Sequence, residues 1–192
     1  MRRRKLLVPI LLVLVLLLTS CGGKTDGTMQ SALDFRANLM KQQSCSFTLD
    51  ITADFGEKVY NFAGQCQYEM EQGGEITLTA PENLAGISAA VRPDGAKVEF
   101  EDVQLELGQM AEGHVSPMQL PLLLGQCWTQ EYISAAAKAD DGRIQVTYSK
   151  GYGEEQLLVY TWLEEKTLAP VYCEVFYQDE RVLRADISEF TV

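Results

Sequence analysis

From Cys45 onward, apolar residues fall at every second position over most of the chain, the period of a strand with one wet and one dry face. Cys45, Phe47, Leu49, Ile51, Ala53 and Phe55 alternate with Ser, Thr and Asp. Tyr60, Phe62, Cys66, Tyr68 and Met70 do the same over 58–70. The first set is odd-numbered and the second even. A two-residue loop at Gly56-Glu57, with Gly first as a type II′ turn favours, turns that change of parity into one shared face. Gln72-Gly73-Gly74 leads into Ile76, Leu78 and Ala80, and Pro81–Gly86 interrupts the pattern. Segments 87–91 and 97–101 flank the hairpin signal Arg92-Pro93-Asp94-Gly95. Val98 and Phe100 are even whereas Val103, Leu105 and Leu107 are odd, which predicts a bulge or bend near Asp102. Further strands are expected at about 131–138 and 143–149, around Asp140-Asp141-Gly142, then at 156–163, 171–178 and 182–190.

Two stretches break the alternation. Ser31-Ala-Leu-Asp34 reads as a capping box with Asp in place of Glu. Leu33, Ala37 and Met40 then share a helical face, with Phe35 and Leu39 beside them, in a helix ending near Gln42. Around 108–128, Ser116 can cap a helix with Pro117 at its first position. Pro121 should break it within two turns, leaving a short irregular helix that ends near Gly125. Its Met118, Leu120, Leu122, Leu123 and Leu124 are strongly apolar.

The first twenty residues follow another rule. Arg2-Arg3-Arg4-Lys5 precedes an apolar run from Leu6 to Leu18, a secretory signal too short to span a bilayer. It ends in Leu18-Thr-Ser-Cys21-Gly22, which resembles the lipobox of bacterial lipoproteins. Cleavage between Ser20 and Cys21 is expected, with a diacylglyceryl group on the Cys21 thiol and further acylation such as palmitate. Two chains hold stably where one holds only marginally. The expected organisation is therefore signal peptide 1–20, lipidated Cys21 and tether 21–27, and one domain over 28–192. The protein should be exported and anchored to the outer face of the cytoplasmic membrane.

Loss of Arg2–Lys5 from sixteen basic residues leaves twelve against twenty-seven acids, a formal charge of −15. Such a balance repels phosphate backbones, and no basic stripe offsets it, so nucleic acid is excluded as a partner. Cys45, Cys66, Cys127 and Cys173 remain, enough for two disulfides in three connectivities or for buried free thiols. In the first hairpin Cys45 and Cys66 lie opposite or one diagonal apart, which makes them the preferred disulfide pair.

Catalytic and metal-binding chemistry find little footing. His114 is the one histidine, set in a loop before Pro117, and a lone His without a second ligand makes no metal site. No nucleophile elbow, phosphate loop or dinucleotide fingerprint occurs. Glu69, Glu71, Glu99 and Glu101 sit opposite the apolar face, and Asp140-Asp141-Gly142 is a turn before it is a calcium loop. The protein is expected to be non-enzymatic and to need no cofactor.

The order of elements gives an α+β fold: a curved, unclosed antiparallel β-sheet, a half-barrel wrapped around an N-terminal helix and a short mid-chain helical segment. Several phrases carry a family resemblance: Phe47-Thr-Leu-Asp-Ile51, Tyr60-Asn-Phe-Ala-Gly64, Leu78-Thr-Ala-Pro-Glu-Asn-Leu-Ala-Gly-Ile87, the Pro-Asp-Gly95 hairpin and Leu163–Pro170. In their order the chain resembles the LolA/LppX-like lipid- and lipoprotein-binding proteins over most of 28–192. The resemblance implies an apolar cavity between sheet and helices, and no catalytic set.

Phe47, Leu49, Tyr60, Phe62, Leu78, Ile87, Val98 and Phe100 are the candidate lining of that cavity, beneath Leu120, Leu123 and Leu124. The same residues can equally pack as core. An empty void of about 300 Å³ would cost on the order of 7 kcal/mol, comparable to the stability of a whole domain. Either helices and sheet collapse together, or an acyl chain fills the space. Two functions follow: a membrane-tethered binder of a lipid or acyl chain, or a filled-core module that binds or activates a cell-envelope or spore-envelope protein.

Overall fold

The computed structural model describes residues 27–54, 56, 58–100, 103–107 and 116–192. Cys21, Ser20 and His114 lie outside them. Helix α1 (Thr28–Gln42) leads into β1 (Ser44–Asp54), β2 (Val59–Glu69) and β3 (Gly73–Ala80). After a 3₁₀ turn come β4 (Ser88–Arg92), β5 (Gly95–Phe100) and β6 (Val103–Leu107). Helix α2 (Leu120–Thr129) follows, then β7 (Tyr132–Lys138), β8 (Ile144–Lys150), β9 (Leu157–Leu163), β10 (Pro170–Tyr177) and β11 (Glu180–Thr191).

All eleven strands form one antiparallel sheet in the order β6-β5-β4-β3-β2-β1-β11-β10-β9-β8-β7. Two meanders, one from each half of the chain, are joined where β1 pairs with β11. The outermost strands, β6 and β7, do not pair with each other, so the sheet is unclosed. Helix α2 nevertheless touches both β3 and β8. Those strands are six steps apart, about 29 Å if the sheet were flat, whereas ten helical residues span about 15 Å. The sheet must curl around the helix, and the architecture is an α+β half-barrel.

Local chemistry accounts for most boundaries. The β1–β2 register runs from Ser44 opposite Glu69 to Asp54 opposite Val59, as a loop centred on Gly56-Glu57 requires. The parity switch near Asp102 has the same origin and is not a bulge. Phe100 pairs with Val103, so β5 and β6 are a hairpin joined through residues 101 and 102. Pro93-Asp94 likewise separates the paired Arg92 and Gly95.

Both helices depart from expectation at their starts. Helix α1 begins at Thr28 behind Gly27, whose φ is +74°, and Ser31 lies inside its first turn with its hydroxyl bonded back to the Gly27 carbonyl (3.2 Å). The capping box is therefore not used. The buried stripe is Thr28, Ala32, Phe35 and Leu39, while Leu33, Ala37 and Met40 are exposed. The two stripes lie about one residue, or 100°, apart on the helix, and the core selects the one bearing Phe35. Ser116 does cap its segment, accepting from the Met118 N–H (3.3 Å), but a 3₁₀ turn over Pro117–Gln119 follows. Pro121 then falls in the first turn of α2, where its missing N–H leaves nothing unsatisfied, and the helix runs on to Thr129.

Candidate functional site

The concave face of the sheet divides into two halves. Its upper half is filled. Helix α2 enters over two glycines: a Cβ on Gly74 would fall on the backbone of Leu122, and one on Gly125 would fall on the Tyr68 ring. Trp128, fully buried, is the centre of this packing, with ring centroids 5.4 Å from Phe47, 5.8 Å from Phe35 and 5.9 Å from Phe190. Its indole N–H donates to the Thr161 hydroxyl (3.1 Å), so its one polar group is satisfied. Arg36 of α1 closes the far end of α2, donating to the carbonyls of Cys127 (2.9 Å), Trp128 (3.0 Å) and Glu131 (2.6 Å). The first two are carbonyls of the last turn, which a helix end leaves without intrahelical partners, and a cation suits them.

Of the expected cavity residues, Phe47, Leu49, Leu78, Leu120, Leu123 and Leu124 are buried in this contiguous core. Tyr60, Phe62, Ile87, Val98 and Phe100 are not fully buried. Tyr60 and Phe100 are 43% and 40% exposed, and the other three are half-buried against the core edge. Tyr60 and Phe62 stack at 6.3 Å with their planes 24° apart. The chain order explains the division. Helix α2 meets β2 at Tyr68, and Tyr60 lies eight residues away along that strand, about 26 Å. Pairing then continues the apolar row across the sheet, Ala53 opposite Tyr60, Ile51 opposite Phe62 and Ala89 opposite Val98. Tyr60, Phe62, Ile87, Val98 and Phe100 thus form a partly exposed apolar row on and beside β2–β5, away from the contact of α2 with Tyr68.

The four cysteines described are buried free thiols. Cys45 pairs with Tyr68 and Cys66 with Phe47, which sets Cys45 and Cys66 one diagonal apart rather than opposite. Burial pushes the Cys45 and Cys173 thiols up to about 12, and raises those of Cys66 and Cys127 as well. They behave as small hydrophobes, not nucleophiles. Asp141 serves its turn, accepting from the Arg143 N–H (3.0 Å) and pairing with its guanidinium (3.1 Å). Among the described residues, no three His, Cys, Asp or Glu side chains gather as metal ligands would.

The convex face is polar around β1, where Thr48 donates to Glu189 (2.9 Å) and Thr52 to Asn61 (3.1 Å). Over β9–β11 it carries a stack of Trp162 on Tyr172 (4.2 Å, 13°) with the Arg184 guanidinium 4.9 Å from the Tyr172 ring. The alternating pattern could not anticipate Gly74, Gly125, Arg36 or Trp128. Their importance is a matter of approach between distant segments. Only the 3.6-residue spacing of Phe35 and Leu39, with Arg36 beside them, hinted at the true face of α1.

Several solved structures are similar to this chain over most of its length. A LolA superfamily protein from Nitrosomonas europaea superposes with a TM-score of 0.46 at 13% identity, over 86% of this chain and 93% of its own. A putative outer membrane lipoprotein-sorting protein domain from Vibrio parahaemolyticus gives 0.45 at 10%, over 86% and 92%. The Mycobacterium tuberculosis lipoprotein LppX gives 0.42 at 12%, over 86% and 96%. No family model matches the chain, and no curated protein sequence does.

Proposed function

We propose that this is an exported lipoprotein, held by a diacylglyceryl group on Cys21 at the outer face of the cytoplasmic membrane, that receives an acyl chain in the trough of its half-barrel. The observation that carries this reading is the contrast within one face. The upper half is closed by Trp128 and the leucines of α2, while Tyr60, Phe62, Ile87, Val98 and Phe100 stay partly exposed on the lower half. Aromatic and aliphatic side chains left open on a concave surface favour a flexible apolar guest. Phe62, Ile87, Val98 and Phe100 carry no polar side-chain atom, which suits a ligand held by its hydrocarbon. The role is binding without chemistry.

Extraction of lipid from the purified mature protein, followed by mass spectrometry, tests the proposal. Co-purified acyl species in stoichiometric amount are expected, and Tyr60→Asp with Phe100→Asp should abolish them while the near-ultraviolet circular dichroism stays native, because both residues are partly exposed. Protein free of lipid, or lipid retained by the double variant, would refute the trough.

A second reading rests on a different observation. Among the described residues β6 and β7 are the end strands of the sheet, and a strand edge can recruit a partner's strand. A filled-core module that binds or activates an envelope protein would use that edge. It predicts a stoichiometric protein partner and an interior free of lipid.

A further inference from the structure

Helix α1 starts at the β7 edge of the sheet, where the Thr28 hydroxyl donates to the Ala136 carbonyl (3.0 Å). Cys21 precedes Thr28 by seven residues, so an anchor there keeps this edge within about 25 Å of the headgroups. Beside the attachment lies a groove of about 790 Å³ whose apolar wall is Met29, Leu33, Tyr132, Ile133 and Tyr152. Three of these side chains are well exposed: Leu33 at 44%, Tyr132 at 72% and Tyr152 at 94%. The charged residues of the wall are Arg36 and Glu131. Arg36 is committed to the carbonyls of α2, and Glu131 pairs with Lys150 (2.7 Å). The formal charges of the wall therefore balance, on a chain with a large acidic excess.

The strand register relates this groove to the trough. Tyr132 pairs with Ser149, Ser149 with Leu158, Leu158 with Phe176 and Phe176 with Arg181. Leu183, two residues beyond Arg181, pairs with Ala53, and Ala53 pairs with Tyr60. Tyr132 and Tyr60 therefore lie at the same end of their strands. The loop bearing Tyr152 follows Lys150 at that end too.

We infer that this end of the half-barrel docks on the bilayer, with Tyr132, Tyr152 and Leu33 seated in the headgroup zone. Tyrosine suits that depth, since its ring is apolar and its hydroxyl remains wet. The mouth of the trough then faces the lipid from which an acyl chain would come. A tether alone would leave the body free to tumble, whereas a second contact fixes its orientation. The inference rests on the proposed lipidation of Cys21, and it names the surface through which the trough would be loaded.

The test uses the full lipidated protein, purified from membranes and reconstituted into phosphatidylcholine vesicles containing phosphatidylcholine brominated on its acyl chains. Tyr132→Trp and Tyr152→Trp report depth, and Asp140→Trp in the β7–β8 turn, at the opposite end of β7, is the control. Native Trp128 and Trp162 are buried and give a common background. Emission from positions 132 and 152 should fall about twofold in brominated vesicles, while position 140 changes little. Vesicle flotation and the mass of the mature chain are measured on the same samples. A lipidated protein that floats but shows equal quenching at all three positions overturns the docking surface and leaves the anchor standing. A chain without lipid overturns both. Emission at 132 and 152 that shifts with protein concentration in detergent, without vesicles, would assign the patch to a second copy and also overturn the proposal.

Discussion

At the scale of single residues, the stability of this protein turns on close approach rather than bulk. Gly125 lies against Tyr68, so Gly125→Ala forces the aromatic ring or the helix to move. Overpacking of this kind costs about 1–3 kcal/mol, and thermal denaturation should show a lower Tm with the fold retained. The thiols set a pH limit. Burial raises Cys45 and Cys173 from an ordinary value near 9 to about 12, so the folded chain keeps protons that the unfolded chain loses. Their contribution is fully present below pH 9 and disappears as pH rises toward 12. Denaturant midpoints should hold steady from pH 7 to 8.5 and fall above 9, and Cys173→Ala should flatten that fall. A midpoint indifferent to alkaline pH would place these cysteines in disulfides or in water.

At the scale of elements, the two helices are interdependent. Helix α2 carries few polar groups, and nearly all of its residues are buried. Its carbonyl end is satisfied by Arg36, a side chain ninety-one residues earlier in the sequence. Arg36→Met keeps the length of the side chain but removes the donors and the charge. It leaves orphaned carbonyls at a helix terminus, and a loss of about 3 kcal/mol is expected in chemical denaturation. Arg36→Lys should recover only part of it, because an ammonium cannot reproduce the fork that reaches three carbonyls. The same dependence explains why Pro121 and Gly125, both poor helix residues, are tolerated inside or near the start of α2. Tertiary packing, not propensity, holds it.

At the scale of the whole molecule, β11 is the keystone of the sheet. It lies between β1 and β10, so a strand from the C-terminal half of the described residues joins the two meanders. A chain ending before Glu180 would leave two half-sheets with their central edges bare. It should fail to fold cooperatively, seen as loss of near-ultraviolet circular dichroism and as aggregation. The open edges at β6 and β7, by contrast, are peripheral. Curvature is a property of this scale as well: it brings β3 and β8, six strands apart, to the same helix.

Period-two alternation was enough to place the strands, because backbone pleating ties each side chain's face to its position in the chain. Parity likewise contained both of the first long hairpins of the N-terminal half, although the switch at Asp102 reads equally as a bulge until Val103 is seen paired with Phe100. The resemblance of Leu18–Gly22 to a lipobox and the acidic balance are matters of local chemistry and composition, legible without a fold. The faces of α1 were ambiguous, since neighbouring stripes of similar apolarity differ only in what they meet. Which candidate residues become core and which stay open was decided by tertiary structure alone. Phe47 and Phe62 share a face of the sheet and a chemistry, yet Phe47 is buried against Trp128 of α2 while Phe62 is half-buried at the core edge. Burial depends on what arrives from elsewhere in the chain, and no pattern within a strand records the reach of a helix that crosses it.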